Sequence, residues 1–349
     1  MKRAPTLNDV AKVAKVSRSL ASLVFQDSPK VSDTSRKAVL SAAQKLGYQP
    51  NESARRLKSA QTKSIGVVLT DIHNPYYSHI FYGVESAGSE SEYKLLIGNS
   101  GFLSDELNQD PHIMKNRQID SIKNIRGQMV DGLICSSLRT TPEELRIASR
   151  NLPLVIIGHT PANLIKEFDV VATDEGYAAQ LVVRHLAQLG HKDIVHISGG
   201  TDDGPRYRSK AFVSEMRKQK LSANAEVLEG SWSQEAGYEK TAEILKRKKR
   251  PTAIYAANDL IALGVLAKLR EEGLRVPQDI SVIAYDDSQY AKLKIADLTS
   301  IKESLFEMGR LGFELLTTRL EGKRGTHSPQ LLRIKPDLVI RSSTGPVKK

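Results

Sequence analysis

The run Thr6-Leu7-Asn8-Asp9-Val10-Ala11-Lys12-Val13-Ala14-Lys15-Val16-Ser17-Arg18-Ser19-Leu20-Ala21-Ser22-Leu23-Val24-Phe25 holds two helical periods with almost nothing between them. Leu7, Val10, Ala11 and Ala14 share one helix face, with Thr6 as N-cap. After Lys15-Val16, Ser17 caps a second helix that runs to about Phe25 and turns Leu20, Ala21 and Val24 inward. Two short helices on so tight a connection have helix-turn-helix geometry, in which the second helix offers its first residues to the major groove of a duplex. A third helix, from about Ser32 to Leu46, brings Val39, Leu40, Ala43 and Leu46 to a small core and stops at Gly47, a favourable C′ residue.

Charge supports that reading. Residues 1–63 carry 13 Lys and Arg against 4 Asp and Glu, whereas residues 64–349 carry 38 against 36. A short basic segment on a nearly neutral body is the layout of a polyanion-binding module joined to something else. On the second helix, Ser17, Arg18, Ser19 and Ser22 are the candidates for touching DNA. Arg18 can pair bidentately with guanine, and the serines and the helix N-terminus suit phosphates. The following stretch, entered by Asn51 and carrying Arg55, Arg56 and Lys58 beside Leu57, is too short for a stable isolated helix. It suits a segment that folds only on DNA, with Leu57 as a minor-groove wedge.

From Ser64 onward, short apolar runs alternate with amphipathic helices: Ile65–Leu69, Lys94–Ile97, Gly132–Cys135, Leu154–Ile157, Ile194–Ile197, Ala253–Tyr255 and Val282–Tyr285. Strands so uniformly apolar are covered on both faces, and the helices between them imply parallel βαβ units. The expected fold is α/β: a three-helix headpiece with a hinge helix, then two doubly wound lobes. The expected boundaries are headpiece 1–50, hinge 51–62, two-lobed core 63–341 and a basic tail 342–349. Ligands of open α/β sheets bind beyond the carboxyl ends of strands. Those positions hold Asp71, His73, Asn74, Tyr76 and Tyr77, then Arg206 and Arg208, Asn258-Asp259 and Asp286-Asp287, with the single tryptophan, Trp232, after Glu229-Gly230-Ser231. Carboxylates, amides and an arginine beside aromatic faces suit a small polyol, with a purine or a phosphorylated sugar as alternatives.

Thr6–Ala11, Val16-Ser17, Val31-Ser32, Leu46–Asn51 and Ala54–Leu57 together resemble the headpiece and hinge of the LacI/GalR family of bacterial transcription regulators. The resemblance continues through Asp71-x-x-Asn74-Pro75-Tyr76-Tyr77, Gly190-His191, Pro251–Ile254, Ala257–Asp259 and Val276–Ser281. It implies a homodimer on a palindromic operator, most simply a repressor, with a small effector, expected to be a sugar, between the lobes and no other cofactor. Effector binding would shift the lobes and so reset the spacing of the hinge helices. By position it implies DNA contacts from Thr6, Ser17, Arg18, Ser19, Ser22, Asn51, Ala54 and Leu57. It implies effector contacts from Asp71, Asn74, Tyr76, Arg208, Trp232, Asn258 and Asp286. Lys15 stands where the family has a turn glycine and, at positive φ, would cost on the order of 1 kcal/mol. Leu23 replaces the usual arginine and has no hydrogen bond to give a base.

Other classes fit less well. A solute-binding protein of the same core would leave the basic headpiece unexplained. Gly199-Gly200-x-x-x-Gly204 lacks the G-x-G-x-x-G spacing of a dinucleotide site, no Walker lysine or His-Glu-x-x-His occurs, and an enzyme is not expected. One cysteine, Cys135, allows no internal disulfide. No export signal or membrane-length apolar run is read, so the cytoplasm is the expected location. Lys246–Arg250 reads as a solvated helix end.

Overall fold

The computed structural model describes residues 5–25, 28–48, 62–101, 111–200, 203–221, 225–322 and 328–348. The chain divides into two compact units, Met1–Thr62 and Lys63–Lys349. Asn51, Ala54, Leu57 and the rest of the expected hinge up to residue 61 lie outside the described residues.

The first unit contains helices α1 (Leu7–Val13), α2 (Arg18–Phe25) and α3 (Asp33–Leu46). Thr6 opens α1, its backbone N–H and hydroxyl both donating to the Asp9 carboxylate at 2.8 and 2.6 Å. Ser17 Oγ accepts the Leu20 N–H at the start of α2, and Ser32 does the same for Ser35 at the start of α3. Gly47 ends α3 at φ 64°. Val10, Ala21, Val24, Val39 and Ala43 close the core. Leu40, expected inside, is instead 49% exposed, and Ala42, two residues on and on the opposite face of the helix, is buried. Lys15 holds φ 53°, so the turn does put a side chain where glycine is unstrained.

The second unit follows the order β1 (Ser64–Leu69), α4 (Pro75–Ser89), β2 (Lys94–Asn99), α5 (Pro111–Gly127), β3 (Gly132–Ser136), α6 (Pro142–Ser149), β4 (Leu154–Ile157), α7 (Ala162–Ile165) and β5 (Asp169–Thr173). The chain then crosses to a second lobe: α8 (Glu175–Gln188), β6 (Ile194–Ser198), α9 (Asp203–Lys218), β7 (Ala225–Glu229), α10 (Gln234–Leu245), β8 (Ala253–Ala256), α11 (Asp259–Glu271), β9 (Ser281–Asp286) and β10 (Thr299–Lys302). It returns for α12 (Leu305–Glu321) and β11 (Leu331–Ile334), and crosses a third time to β12 (Asp337–Val339). Each lobe has a six-stranded sheet, β11-β5-β4-β3-β1-β2 and β12-β10-β9-β8-β6-β7. All pairs are parallel except β10 with β12. The switch in strand order falls between β1 and β3 in one lobe and between β6 and β8 in the other, which is where such sheets open a crevice.

Five strands were not legible in the sequence: β5, β7, β10, β11 and β12. All five carry a charged residue within them, and each lies at or next to a sheet edge. Residues 342–348, expected as a tail, are part of the second lobe. Ser343 is buried, its hydroxyl donating to Val282 O at 2.6 Å and accepting the Thr299 N–H at 2.8 Å. Val347 N–H bonds Leu189 O, and His185 and His191 meet Thr344 and Gly345. In the basic run, Arg247 and Lys249 pair with Glu226 and Asp193 at the surface.

Both lobes bring two helices into backbone contact through glycines. A methyl built on Gly83 of α4 would lie 1.9 Å from the Phe306 carbonyl oxygen, and one on Gly264 of α11 the same distance from the Gln234 carbonyl. Helix propensity alone favours Gly83→Ala by about 1 kcal/mol. The clash is with backbone, which cannot swing away, so overpacking outweighs propensity. Gly83→Ala is expected to destabilise the second unit by about 2 kcal/mol, read as a lowered thermal midpoint by circular dichroism.

Candidate effector cleft and DNA-reading helix

In the headpiece, Ser17, Arg18 and Ser19 are exposed at the start of α2 and Ser22 is half-buried one turn on. Thr6 is half-buried and holds the α1 cap. Leu23 lies partly against the headpiece core, so only part of its side chain is free to meet a base.

In the second unit, Asp71, Asn74, Tyr76, Trp232, Asn258 and Asp286 line one cleft of about 500 Å³ between the lobes. Each is placed by a strand end. Asn74 caps α4, its Oδ1 accepting the Tyr76 N–H at 3.0 Å, and Asn258 caps α11, accepting the Ile261 N–H at 2.8 Å. Capping uses the carbonyl oxygen and leaves each amide NH₂ as a donor. Asp71 stabilises its own turn through the His73 N–H. Trp232 rests on Gly199, where any Cβ would sit 2.3 Å from the indole ring.

Arg208 is the exception. It is 1% exposed and lies behind the cleft, where Nε and Nη2 meet Glu175 at 3.1 and 2.9 Å. Nη1 bonds the Ala257 carbonyl, and the guanidinium lies 3.2 Å from the Tyr285 ring centroid. Burial works against the charged form of both partners. The mutual charge wins: Glu175 is held below the usual carboxylate range and Arg208 is raised further. The arginine expected to grip an effector is thus already committed to an internal pair.

His159, after β4, was missed. Its ring stacks on Tyr76 of its own lobe (5.9 Å, 9°) and on Trp232 of the other (5.8 Å, 25°). Its Nε2 lies 3.4 Å from Arg208 Nη2. Burial first and Arg208 second lower its pKa to about 4, so the ring is neutral near pH 7. The strand-end rule that found Asp71 and Asn258 points to His159 too, one residue beyond Gly158. Glu175 and Glu303 had no such signal, since β5 and β10 were not recognised. Burial pushes Asp286 well up, with Asp259 and Glu303 adding to it. Asp259 is raised to about 6, chiefly by burial.

Residues 6–51 match the family profile described as bacterial regulatory proteins, lacI family, and residues 183–344 match a periplasmic binding protein-like domain. The repressor PurR of Haemophilus influenzae is 34% identical over 343 residues, 97% of this chain and 98% of that protein. The chain belongs to the LacI family of bacterial transcription regulators. Another PurR, of Mannheimia succiniciproducens, is 32% identical to this LacI-family chain over 97% of its length. The lac repressor dimer bound to operator and the anti-inducer ONPF superposes with a TM-score of 0.84 at 27% identity, covering 98% of this LacI-family chain and 100% of that one. The CelR–cellobiose complex does so with 0.69 at 27%, covering 97% and 99%. Among the described residues of this LacI-family regulator, no cluster of His, Cys, Asp and Glu could hold a metal ion, and no helix is long and apolar enough to cross a membrane.

Two predictions follow from the charges. Glu175→Gln leaves the buried guanidinium without its counter-charge and is expected to cost about 3 kcal/mol in urea unfolding, most of it recovered in the Glu175→Leu, Arg208→Met pair. Burial raises Glu303 from its ordinary 4.5 to about 7. Between those values the folded state holds the extra proton, so this group's contribution to stability is full below 4.5 and is lost as pH rises through 7. Glu303→Gln is expected to flatten the stability profile across that window.

Proposed function

We propose that this regulator is a repressor that binds DNA as a homodimer, one α2 per half-site, and that a flat heteroaromatic ligand of purine type in the interlobe cleft resets its operator affinity. The observation that carries the ligand class is the column Tyr76–His159–Trp232, aromatic faces lying nearly parallel across the two lobes. A flat ring adds its faces to such a column. The edges of a purine, which alternate donors and acceptors, are met by the free amides of Asn74 and Asn258 and the carboxyl groups of Asp71 and Asp286. Relatives named PurR favour the same class. A sugar is the second reading, favoured by the cellobiose bound to CelR. The seven expected effector residues enter unequally: six as cleft lining, Arg208 as the support behind them. Arg18 with Ser17, Ser19 and Ser22 would read bases and phosphates. Thr6, Asn51, Ala54 and Leu57 keep the roles the family resemblance implies.

Binding at the two sites is linked reciprocally, so a coupling of about 1–3 kcal/mol changes operator affinity by about 5 to 150-fold. The test is a titration of full-length protein with free purine bases, ribose and cellobiose, following emission of Trp232, the sole tryptophan, and anisotropy of a selected operator at fixed salt. Purine bases are expected to quench Trp232 and shift operator affinity, with Arg18→Ala weakening operator binding while leaving the quench intact. A response to the sugars alone establishes the second reading. No response to either class removes the cleft as the sensor.

A further inference from the structure

Tyr76 and His159 also form part of the wall of a second chamber, about 310 Å³, that the effector reading leaves unused. The chamber lies where the chain passes between lobes: Thr173 and Glu175 flank the first crossing, Glu303 begins the return, and Arg333 precedes the third. Its body is apolar, with Ile165, Ala172, Ala211 and Leu331 in the lining. Set into that lining are two polar groups that the fold does not satisfy. Glu303 is 5% exposed; its Oε1 accepts the Thr173 hydroxyl, while its Oε2 has no hydrogen-bond partner among the described residues. Tyr76 is equally buried and its hydroxyl likewise has no partner among them.

Leaving a buried polar atom unpaired costs about 1–3 kcal/mol, more when it is charged. The fold carries that cost twice at one chamber. Both atoms can accept a hydrogen bond from a single shared donor. An ammonium offers three donors and no acceptor, and its charge favours the ionised form of Glu303, whose pKa burial raises to about 7 and which has no ion pair among the described residues. The neighbouring carboxylate Glu175 is already neutralised by Arg208, so the local charge is acidic. Lys210 and Arg333 also line the chamber, but both are exposed, where water and salt screen their repulsion. Burial and then the Glu303 charge push the Tyr76 phenol well up, which keeps it a neutral hydroxyl able to accept.

We propose that this chamber is a second ligand site that takes a small organic cation, a primary ammonium on a short apolar body, with the ammonium met by Glu303 Oε2 and the Tyr76 hydroxyl. Both lobes line the site, so its occupant favours whichever lobe arrangement it fits and acts as an input separate from the cleft ligand. The proposal does not depend on the purine reading.

The test titrates full-length protein with pentylamine, 1-pentanol and pentanoate at matched ionic strength by calorimetry. Pentylamine is expected to bind saturably and at least about tenfold more tightly than the other two, a difference of about 1.4 kcal/mol. Glu303→Gln, close in shape, should lose that preference while operator binding persists. Ala211→Leu, which adds bulk at the chamber wall, should abolish amine binding. A wild-type protein that prefers the alcohol or shows no preference overturns the proposal, and so does undiminished amine binding in both variants. Trp232 emission reports the cleft, so failure of the purine reading shows there and leaves the amine titration interpretable.

Discussion

A guanidinium with almost no contact with water must be answered where it stands, and Arg208 organises the junction between the lobes through the answers it receives. Its two parallel bonds to Glu175 fix the residue that begins α8. Its bond to the Ala257 carbonyl fixes the end of β8, next to the Asn258 cap. Tyr285 covers its face and also donates to Glu175 at 3.2 Å. In a low-dielectric interior such a set is worth having only if complete, since removal of one partner leaves the other charge unpaid. Asp259 shows the alternative solution: a buried carboxylate held by the Ser288 N–H and the Ser300 hydroxyl, with burial raising its pKa.

The cleft inherits its precision from this junction and from the helix caps. Asn74 and Asn258 serve the backbone with one atom and the cleft with another, so capping and ligand binding are not competing explanations of the same residue. A side chain held by its own helix N-terminus loses little further rotamer entropy when a ligand arrives. Trp232 is fixed in a different way, by the absence of a side chain at Gly199 beneath it.

The amphipathic helices of the headpiece and the central strands were legible because each is a local pattern: a 3.6-residue period closed by Thr6, Ser17, Ser32 and Gly47, or an uninterrupted apolar run such as Val67 to Leu69. Capped ends and apolar faces are written in neighbouring residues. The edge strands β7, β11 and β12 were not legible, since Glu226, Arg333 and Asp337 interrupt the apolar pattern at positions where a sheet edge tolerates charge, and Asp169 and Lys302 do the same in β5 and β10 beside them. Leu40 misled for the opposite reason, an apolar residue on a surface that needs none. Arg208 and Glu175 are 33 positions apart in sequence, and their pairing depends on α8 and α9 lying side by side, which no local pattern states. The last residues, Ser343 to Val347, read as a charged end, yet they bond backbone groups of β9, of the turn after α8 and of the Thr299 region.

The arrangement of His159 follows from the same junction. Arg208 has only donors, so Nε2 of the neutral imidazole must accept and the ring proton resides on Nδ1, which faces Glu175 Oε1 at 3.7 Å. The ion pair therefore selects one tautomer and one ring plane. That plane stacks on Tyr76 from one lobe and Trp232 from the other, so a single neutral ring joins the lobes through dispersion rather than charge. Such a contact is lost steeply with separation and is open to replacement by any flat ring that stacks as well. A ligand entering the cleft then competes with, or extends, a column that the protein already forms by itself, and the difference between those two outcomes sets how far binding moves one lobe against the other.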